Sequence, residues 1–452
     1  MRRIPESISL GSGNSPASTA SGADAAISAA SDGPADTATR PATALPTAYR
    51  WPLADTGHRR LRDRVLRLTG VDLMPDDRIA RRYGELLGAG DPTAERFVAE
   101  TYRGELGPER SRALLDRALA DGIDAIDDAP QSMRDLFAEF DTMPDWADPE
   151  LIEAGAAVWR RWGYALGGVG NAGTMDTYTE ASLAVPLSLA GGYAGERALN
   201  RYLETSRWWV EVSRPGDILR PGSLARAISM RVRVMHVSVR AGVRSHDEWD
   251  DAAWGLPISQ AEMMLTLLGG SVGPAMGLYA LGHVTSRAEI EAALHFNRYL
   301  GYLLGVRVDD IYPCSIAEGL RLLFLFDATR SYDSGAAGEE LVESFVPGFR
   351  ARSGMSRRDR LRARYHLTVQ AGYARLFMLP WNRRRYDLPA GWLGVGLLLA
   401  QVPPRLVGEL ARRVLPGVDD WRQRRSVARW ERWLAWQAQR PAEFAAPTDL
   451  RR

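Results

Sequence analysis

The chain has no lysine: all 57 basic residues among its 452 are arginine. Schiff-base chemistry, a P-loop lysine and lysine metal ligation are therefore excluded. Cysteine is nearly absent as well. Cys314 stands alone in a turn-like Tyr312-Pro313-Cys314-Ser315 segment ahead of a helix. Disulfide frameworks, cysteine-rich zinc sites, iron–sulfur clusters and Cys-x-x-Cys-His cofactor attachment are ruled out. A single unpaired thiol fits a reducing compartment. Neither sign of charge dominates, with 57 basic against 56 acidic residues, so there is no electrostatic signature of a nucleic-acid binder. No stretch reaches the ~18–20 consecutive apolar residues of a membrane span. The nearest runs from Trp392 to Val402 and is stopped by Pro403-Pro404.

At the N-terminus, Met1-Arg2-Arg3 is not followed by the apolar stretch an export signal requires. Residues 1–45 are rich in Ala, Ser, Gly, Thr, Pro and Asp, and are expected to form a disordered tail of a cytoplasmic protein. Strand signals are sparse beyond it. Helical periodicity recurs from Leu61 onward, and the expected fold is all-α, a single large helical domain. Asp148-Pro149 reads as a helix start, Glu196 to Val212 as a long amphipathic helix, and Ser223 as the cap of the next. The glycine-rich residues 167–173 are expected to break the chain before an apolar helical stretch from Tyr178 to Tyr193. Ser259 is expected to open one helix reaching Tyr279, and Ser286-Arg-Ala-Glu289 has capping-box spacing.

Residues 46–350 read as the functional domain, and 351–452 as a basic, Trp-rich helical extension packed on it. The extension carries 21 arginines against 8 acidic residues. Within it, Trp421 to Trp436 reads as an amphipathic helix. That helix suits either a core-wrapping role or peripheral contact with a membrane or an acidic partner.

The chemistry concentrates in Arg231-Val-Arg-Val-Met-His-Val-Ser-Val-Arg240. On a helix, Ile228, Val232, Met235 and Val239 form an apolar stripe, expected to face the core. Arg233, His236 and Arg240 share the adjacent stripe. Three potential cations on one face would repel each other, so they need an anionic ligand or acidic partners. A haem answers the first need: a neutral imidazole ligates the iron, and two arginines neutralise the propionates. A hydrogen-bonded core histidine is the plainer alternative. The run also alternates like a strand from Arg231 to Val234, and in a strand Arg233 and His236 would face opposite sides. On the preceding helix Arg201, Glu204 and Thr205 fall at i, i+3 and i+4, which alone could be a surface ion pair.

Six landmarks run in order: Phe137-Ala-Glu-Phe-Asp-Thr-Met-Pro-Asp-Trp146, Arg201-x-x-Glu-Thr205, Arg233-x-x-His236-x-x-x-Arg240, Trp254-Gly-Leu-Pro-Ile-Ser-Gln260, Asn297-Arg-Tyr-Leu-Gly-Tyr-Leu-Leu-Gly-Val306, and Pro313 to Gly319. Together, over roughly residues 130–330, they resemble the family of fungal endoplasmic-reticulum oxygenases and bacterial latex-clearing proteins, the rubber oxygenases. The resemblance implies a globin-related helical core around one non-covalent haem b (heme b, iron), with His236 as the proximal metal ligand and Arg233 and Arg240 beside it. It implies that Arg201 and Thr205 belong to the haem pocket. It also implies oxidative cleavage by O2 of a double bond in an isoprenoid-like, apolar substrate. This sequence departs from the rubber-cleaving members at Glu204, where a lysine is expected. The family's distal glutamate has no clean match, Glu180 and Glu204 being the nearest candidates. Glu204, Thr205 and Arg201 are the expected catalytic group, with Glu204 a proton acceptor if burial raises its pKa. His283, His295 and His366 are candidates for a sixth iron ligand. A non-catalytic haem sensor, and a cofactor-free helical protein binding a membrane or partner, are the rival readings.

Overall fold

The computed structural model describes residues 44–52, 56–190 and 196–437, and among them there is no β-strand. Most of the expected 1–45 tail, and the expected helical residues 191–193, lie outside the described residues. The helices begin with α1 (Thr56–Thr69), α2 (Asp77–Leu86), α3 (Pro92–Glu100), α4 (Gly107–Asp121), α5 (Gln131–Asp141), α6 (Pro149–Trp162) and α7 (Tyr164–Thr177). They continue with α8 (Ala181–Leu189), α9 (Glu196–Val212), α10 (Leu224–Arg244), α11 (Asp251–Trp254), α12 (Gln260–Leu268), α13 (Val272–Ala280) and α14 (Arg287–Leu303). The last seven are α15 (Ile316–Ala328), α16 (Gly335–Phe345), α17 (Arg357–Phe377), α18 (Pro380–Arg383), α19 (Trp392–Leu399), α20 (Val402–Val414) and α21 (Val418–Gln437).

Local chemistry sets several of the boundaries. Asp148 accepts from the backbone N–H groups of Glu150 and Leu151 to start α6. Ser286 with Glu289, and Ser259 with Glu262, close two-way capping boxes on α14 and α12. The pair α6 and α14 forms the centre of the molecule and packs most closely where α6 carries Gly155. A Cβ there would lie 2.2 Å from the backbone oxygen of Ala292.

The glycine-rich residues 167–173 do not break the chain; they lie inside α7. The turn falls at Gly163, whose φ of 49° suits glycine. Within α7 the missing side chains make room for neighbours: the Tyr202 hydroxyl at Gly167, the buried Tyr373 ring at Gly168 and the Trp209 ring at Gly170. Glycine spacing that looks like a loop signal is here a packing surface for aromatic rings.

The expected single helix from Ser259 is two. Trp159 Nε1 and Asn297 Nδ2 both donate to the Gly270 carbonyl, at 2.6 and 3.2 Å, and hold the chain open between α12 and α13. Residues 260–280 are also the stretch long and apolar enough by composition to cross a membrane, in place of 392–402; just over half of that stretch is buried in the fold.

The helices after residue 350 share the core. α17 packs on α7 and α19, and α21 lies against α6, α7 and α9. Trp430 and Trp433 of α21 are buried among Tyr202, Leu203 and Phe349, so this helix turns these two tryptophans inward, while Trp421 at its start is exposed.

Two glycines give opposite expectations. Gly155→Ala drives a methyl into a backbone carbonyl and should lower stability by about 1–3 kcal/mol. Gly173 on α7 has open space around its Cβ position, and Gly173→Ala should be neutral or stabilising by up to about 1 kcal/mol. Urea unfolding of both variants checks the packing, and a tolerated Gly155→Ala would mean that α6 and α14 lie farther apart.

Candidate functional site

The segment 224–244 is helical, as the haem reading requires. The stripe it buries most deeply is not the apolar one. Arg226, Arg233 and Arg240, spaced seven residues apart, are 5%, 1% and 3% exposed; of the apolar stripe only Ile228 is buried as deeply, whereas Val232, Met235 and Val239 are half-buried. The reason lies in the partners. Arg226 donates to the Phe140 carbonyl, Asp141 and the Tyr299 hydroxyl. Arg233 makes a two-pronged pair with Asp91, at 2.7 and 3.0 Å, and a third bond to Glu139 at 2.6 Å. Arg240 reaches Glu95 at 2.8 Å and the carbonyls of Pro257 and Ile258. Ile258 has a φ of +52°, an unusual conformation for a branched residue, and it turns that carbonyl toward Arg240.

Of the two ways to neutralise the stripe, the structure thus provides acidic partners from within the chain. Arg233 and Arg240 anchor α10 to α3, α5 and the 257–263 segment. Gly305 closes the cluster: a Cβ there would sit 2.0 Å from Asp91 Oδ2 and 2.6 Å from Arg233 Nε. Gln260 completes it by donating to the Gly90 and Gly305 carbonyls and accepting from the Arg307 N–H.

His236 lies between the two anchors. Its side chain is half-buried as a whole, but Nδ1 is fully buried and has no hydrogen-bond partner. Burial, helped by Arg240, lowers the ring pKa to about 4, so the imidazole is neutral at ordinary pH. A neutral imidazole with an unused buried nitrogen fits an iron ligand better than the hydrogen-bonded core histidine. Beside it, Val232, Met235 and Val239 form a half-open apolar face.

Helix α9 supplies the other wall. The connection 213–223 is short and the helices pack together, so α9 and α10 run antiparallel. Trp208 Nε1 donates to Ser229 Oγ at 3.1 Å and fixes their register. One to two turns from that bond, the stripe Arg201, Glu204 and Thr205 of α9 falls level with Val232 to His236. Arg201 pairs with Glu204 at 2.7 Å, both about one-fifth exposed, while Thr205 is exposed.

The other candidates lie elsewhere. Glu180 precedes α8 without capping it through its side chain, and its carboxylate accepts from the Ser331 N–H and hydroxyl and the Tyr332 N–H; burial raises its pKa. His295 Nε2 accepts from the Asp148 N–H. His366 Nδ1 meets the Tyr164 hydroxyl among Trp433 and Trp436. His283 lies beside Arg405, Arg412 and Arg422 at the α13–α20 junction. His295 and His366 are thus engaged, whereas His283, like His236, keeps a buried nitrogen, Nε2, without a hydrogen-bond partner, and burial lowers its ring pKa to about 3. It lies among the arginines of α20 and α21, away from α9 and α10.

Sequence reasoning missed Glu262. It is 4% exposed and accepts from the Ser259 N–H through Oε2, while Oε1 is buried without a partner. Burial lifts its pKa to about 7 against the opposing pull of Ser182, Ser259 and Arg240. The Ser259-x-x-Glu262 spacing could have shown the cap, though not the burial. The acids Asp91, Glu95 and Glu139 were also missed as partners; only the surplus of cations on one helix face pointed to them. Among the described residues no cluster of His, Cys, Asp and Glu forms a metal site by itself.

The sequence pattern of the family described as ER-bound oxygenase mpaB/B'/Rubber oxygenase, catalytic domain, matches residues 156–436. The chain belongs to this family. That span of the rubber oxygenase catalytic domain contains α9, α10 and the buried arginines. A solved structure of the latex clearing protein LCP in the closed state is similar, with 18% identity, 80% of this chain and 95% of that chain covered, and a TM-score of 0.48. Among curated proteins nothing matches the chain.

Two measurements probe the site without any cofactor. Asp91→Ala leaves the buried Arg233 guanidinium short of its main partner and should cost about 3–5 kcal/mol in urea unfolding. The double variant Asp91→Ala/Arg233→Met should regain part of the loss, and a single variant within about 1 kcal/mol of wild type would remove the anchoring role. Glu262 gives a pH signature. Its folded pKa of about 7 exceeds the ordinary glutamate value of 4.5, so the unfolded chain loses this proton first as pH rises. Its contribution favours folding below that lower value and is lost as pH rises through about 7. Glu262→Gln should therefore flatten the stability profile across that window and be the more stable protein at pH 8; parallel profiles would sink the assignment.

Proposed function

We propose that the protein is a haem b-dependent oxygenase that uses O2 to cleave or oxidise an unsaturated, apolar, isoprenoid-like substrate, with His236 as the iron ligand. The single observation that carries the reading is the neutral imidazole of His236, with its unpartnered buried nitrogen, held between two anchored arginines on a half-open apolar face. Membership of the oxygenase family supports it.

The protein's part is binding, orientation and exclusion of water, while bound haem supplies the redox chemistry with O2. Arg233 and Arg240 are positioning residues: one lies a turn before His236 and the other a turn after, and they fix the ring through α10. Val232, Met235 and Val239 offer the contact surface for an apolar chain. Glu204, steered by Arg201, is the group proposed to take an allylic proton and return it, and Thr205 offers a hydroxyl on the same stripe. Cleavage of one carbon–carbon double bond by one O2 gives two carbonyl groups, each taking one oxygen atom. That overall reaction balances without an outside reductant. The exposed, unpaired Cys314 suits a reducing, cytoplasmic setting.

Visible spectroscopy of the purified or haemin-reconstituted protein tests the ligand. An intense haem band in wild type that is lost or displaced in His236→Ala is the expected result. A wild-type protein that takes up no haemin would leave a cofactor-free helical protein. O2 uptake with polyprenoid substrates then separates turnover from sensing. Glu204→Gln should lower kcat by roughly 10²–10⁴-fold with haem binding retained. Haem binding without O2 consumption in wild type would favour the sensor.

A further inference from the structure

Helix α20 is amphipathic and packed inside out. Its polar stripe, Arg405, Glu409 and Arg412, faces the protein. Glu409 is 3% exposed and accepts from Arg412 Nε at 2.6 Å and Arg422 Nη2 at 3.1 Å. Arg412 also bonds to Glu289, and Arg405 to the Leu281 carbonyl. The apolar stripe faces outward, with Leu406 45%, Val407 69%, Leu410 64% and Val414 64% exposed. A helix of a water-soluble protein normally does the reverse.

The outward face does not end with α20. On α19, Trp392, Leu393 and Leu399 are exposed; on α13, which Arg405 ties to α20, Met276 and Tyr279 are exposed too. Rolling α20 over to hide these side chains would break the buried Glu409 cluster. Gly408 leaves room for the Arg422 guanidinium to reach Glu409. The orientation is built in, and an apolar face of this extent marks an interaction surface.

We infer that α19, α20 and the exposed end of α13 form a docking face for an anionic lipid bilayer, with α20 lying in the interfacial plane. Charge selects the bilayer over other occupants. The one acid between Trp392 and Val414 is the buried Glu409. Beside Trp421, Asp419 is paired with Arg161 and Asp420 is exposed, but cations outnumber them. Arg375 stacks on Trp392 at 4.0 Å, Arg425 stacks on Trp421 at 5.2 Å, Arg424 is exposed and Arg413 is more than one-third exposed. A second copy would bring the same cationic rim against itself, which is unfavourable. Anionic headgroups complement that rim, and exposed Trp and Tyr suit the headgroup depth, where a ring meets hydrocarbon and its polar atom meets water. The sequence suggested the Trp421 to Trp436 helix for membrane contact; of that helix only Trp421 and its neighbouring arginines lie at the rim of this face, while Trp430 and Trp433 are buried.

Vesicle flotation of the full chain tests the docking face without reference to haem or turnover. Vesicles of phosphatidylcholine with about one-third phosphatidylserine should bind wild type, more weakly at high salt, and pure phosphatidylcholine should bind it less. Val407→Glu/Leu410→Glu alters only exposed side chains and should weaken binding roughly tenfold or more, with unchanged circular dichroism and Tm. A fluorophore on Val407→Cys, in a Cys314→Ser background, should shift to the blue with vesicles. The proposal is overturned if wild type ignores both vesicle types, or if the double variant binds as wild type does. It is equally overturned if the variant instead dissolves a wild-type dimer seen by sedimentation.

Discussion

A guanidinium buried on the inner side of a helix must be met by fixed charge and fixed acceptors, or the helix moves until it is. The pair between Arg233 and Asp91 meets that demand, and much of the fold around α10 is arranged to satisfy it. Asp91 receives Arg233 while also capping α3 through the Ala94 N–H. Glu139 gives α5 a share in the same guanidinium. Seven residues along, Arg240 draws in Glu95 and the strained Ile258 carbonyl, and Gly305 leaves the space that the cluster needs. Three segments far apart in the chain thereby hold one helix at a fixed height and rotation. The residue so positioned is His236, whose buried Nδ1 has no hydrogen-bond partner.

The functional reading follows from this division of labour. The arginines that look like cofactor ligands on a helical wheel are the frame, and the half-open face beside them is free for an apolar ligand. Membership of the oxygenase family and the neutral imidazole point the same way, while Glu204, in a position where the resemblance leads one to expect lysine, marks a different polar partner on the α9 wall. If α20 lies at a bilayer surface, an isoprenoid-like substrate would already be dissolved in the phase the protein touches. Substrate supply and protein location would then be one physical problem.

Much of the architecture was legible in the sequence because it is written locally. Asp148-Pro149, Ser223 and Ser286-x-x-Glu289 each cap a helix by contacts within three residues, and the 3.6-residue periodicity gave α9 and α10 almost to the residue. The misses are all non-local. Residues 167–173 look like a hinge until Tyr202, Tyr373 and Trp209 are placed against them. The break between α12 and α13 exists because Trp159 and Asn297, remote in sequence, claim the Gly270 carbonyl. The arginine stripe was visible with its charge problem, yet its solution was not, since Asp91 and Glu139 have no sequence relation to Arg233. The outward face of α20 was hidden for the same reason: a helical wheel gives a stripe but not which side the protein takes.

The lattice around Arg233 also sets an order of events in time. Arg233 and Asp91 are separated by 142 residues, and Gln260 must find Gly305 before the cluster is closed. At about 5–20 residues per second of synthesis, roughly 7–28 s pass between the emergence of Asp91 and that of Arg233. During that interval α3 and α5 have each other to pack on, but their acids have no cation from α10. The nascent chain therefore carries an unneutralised acidic cluster until α10 is made, and the cluster can be completed only once residue 307 has emerged.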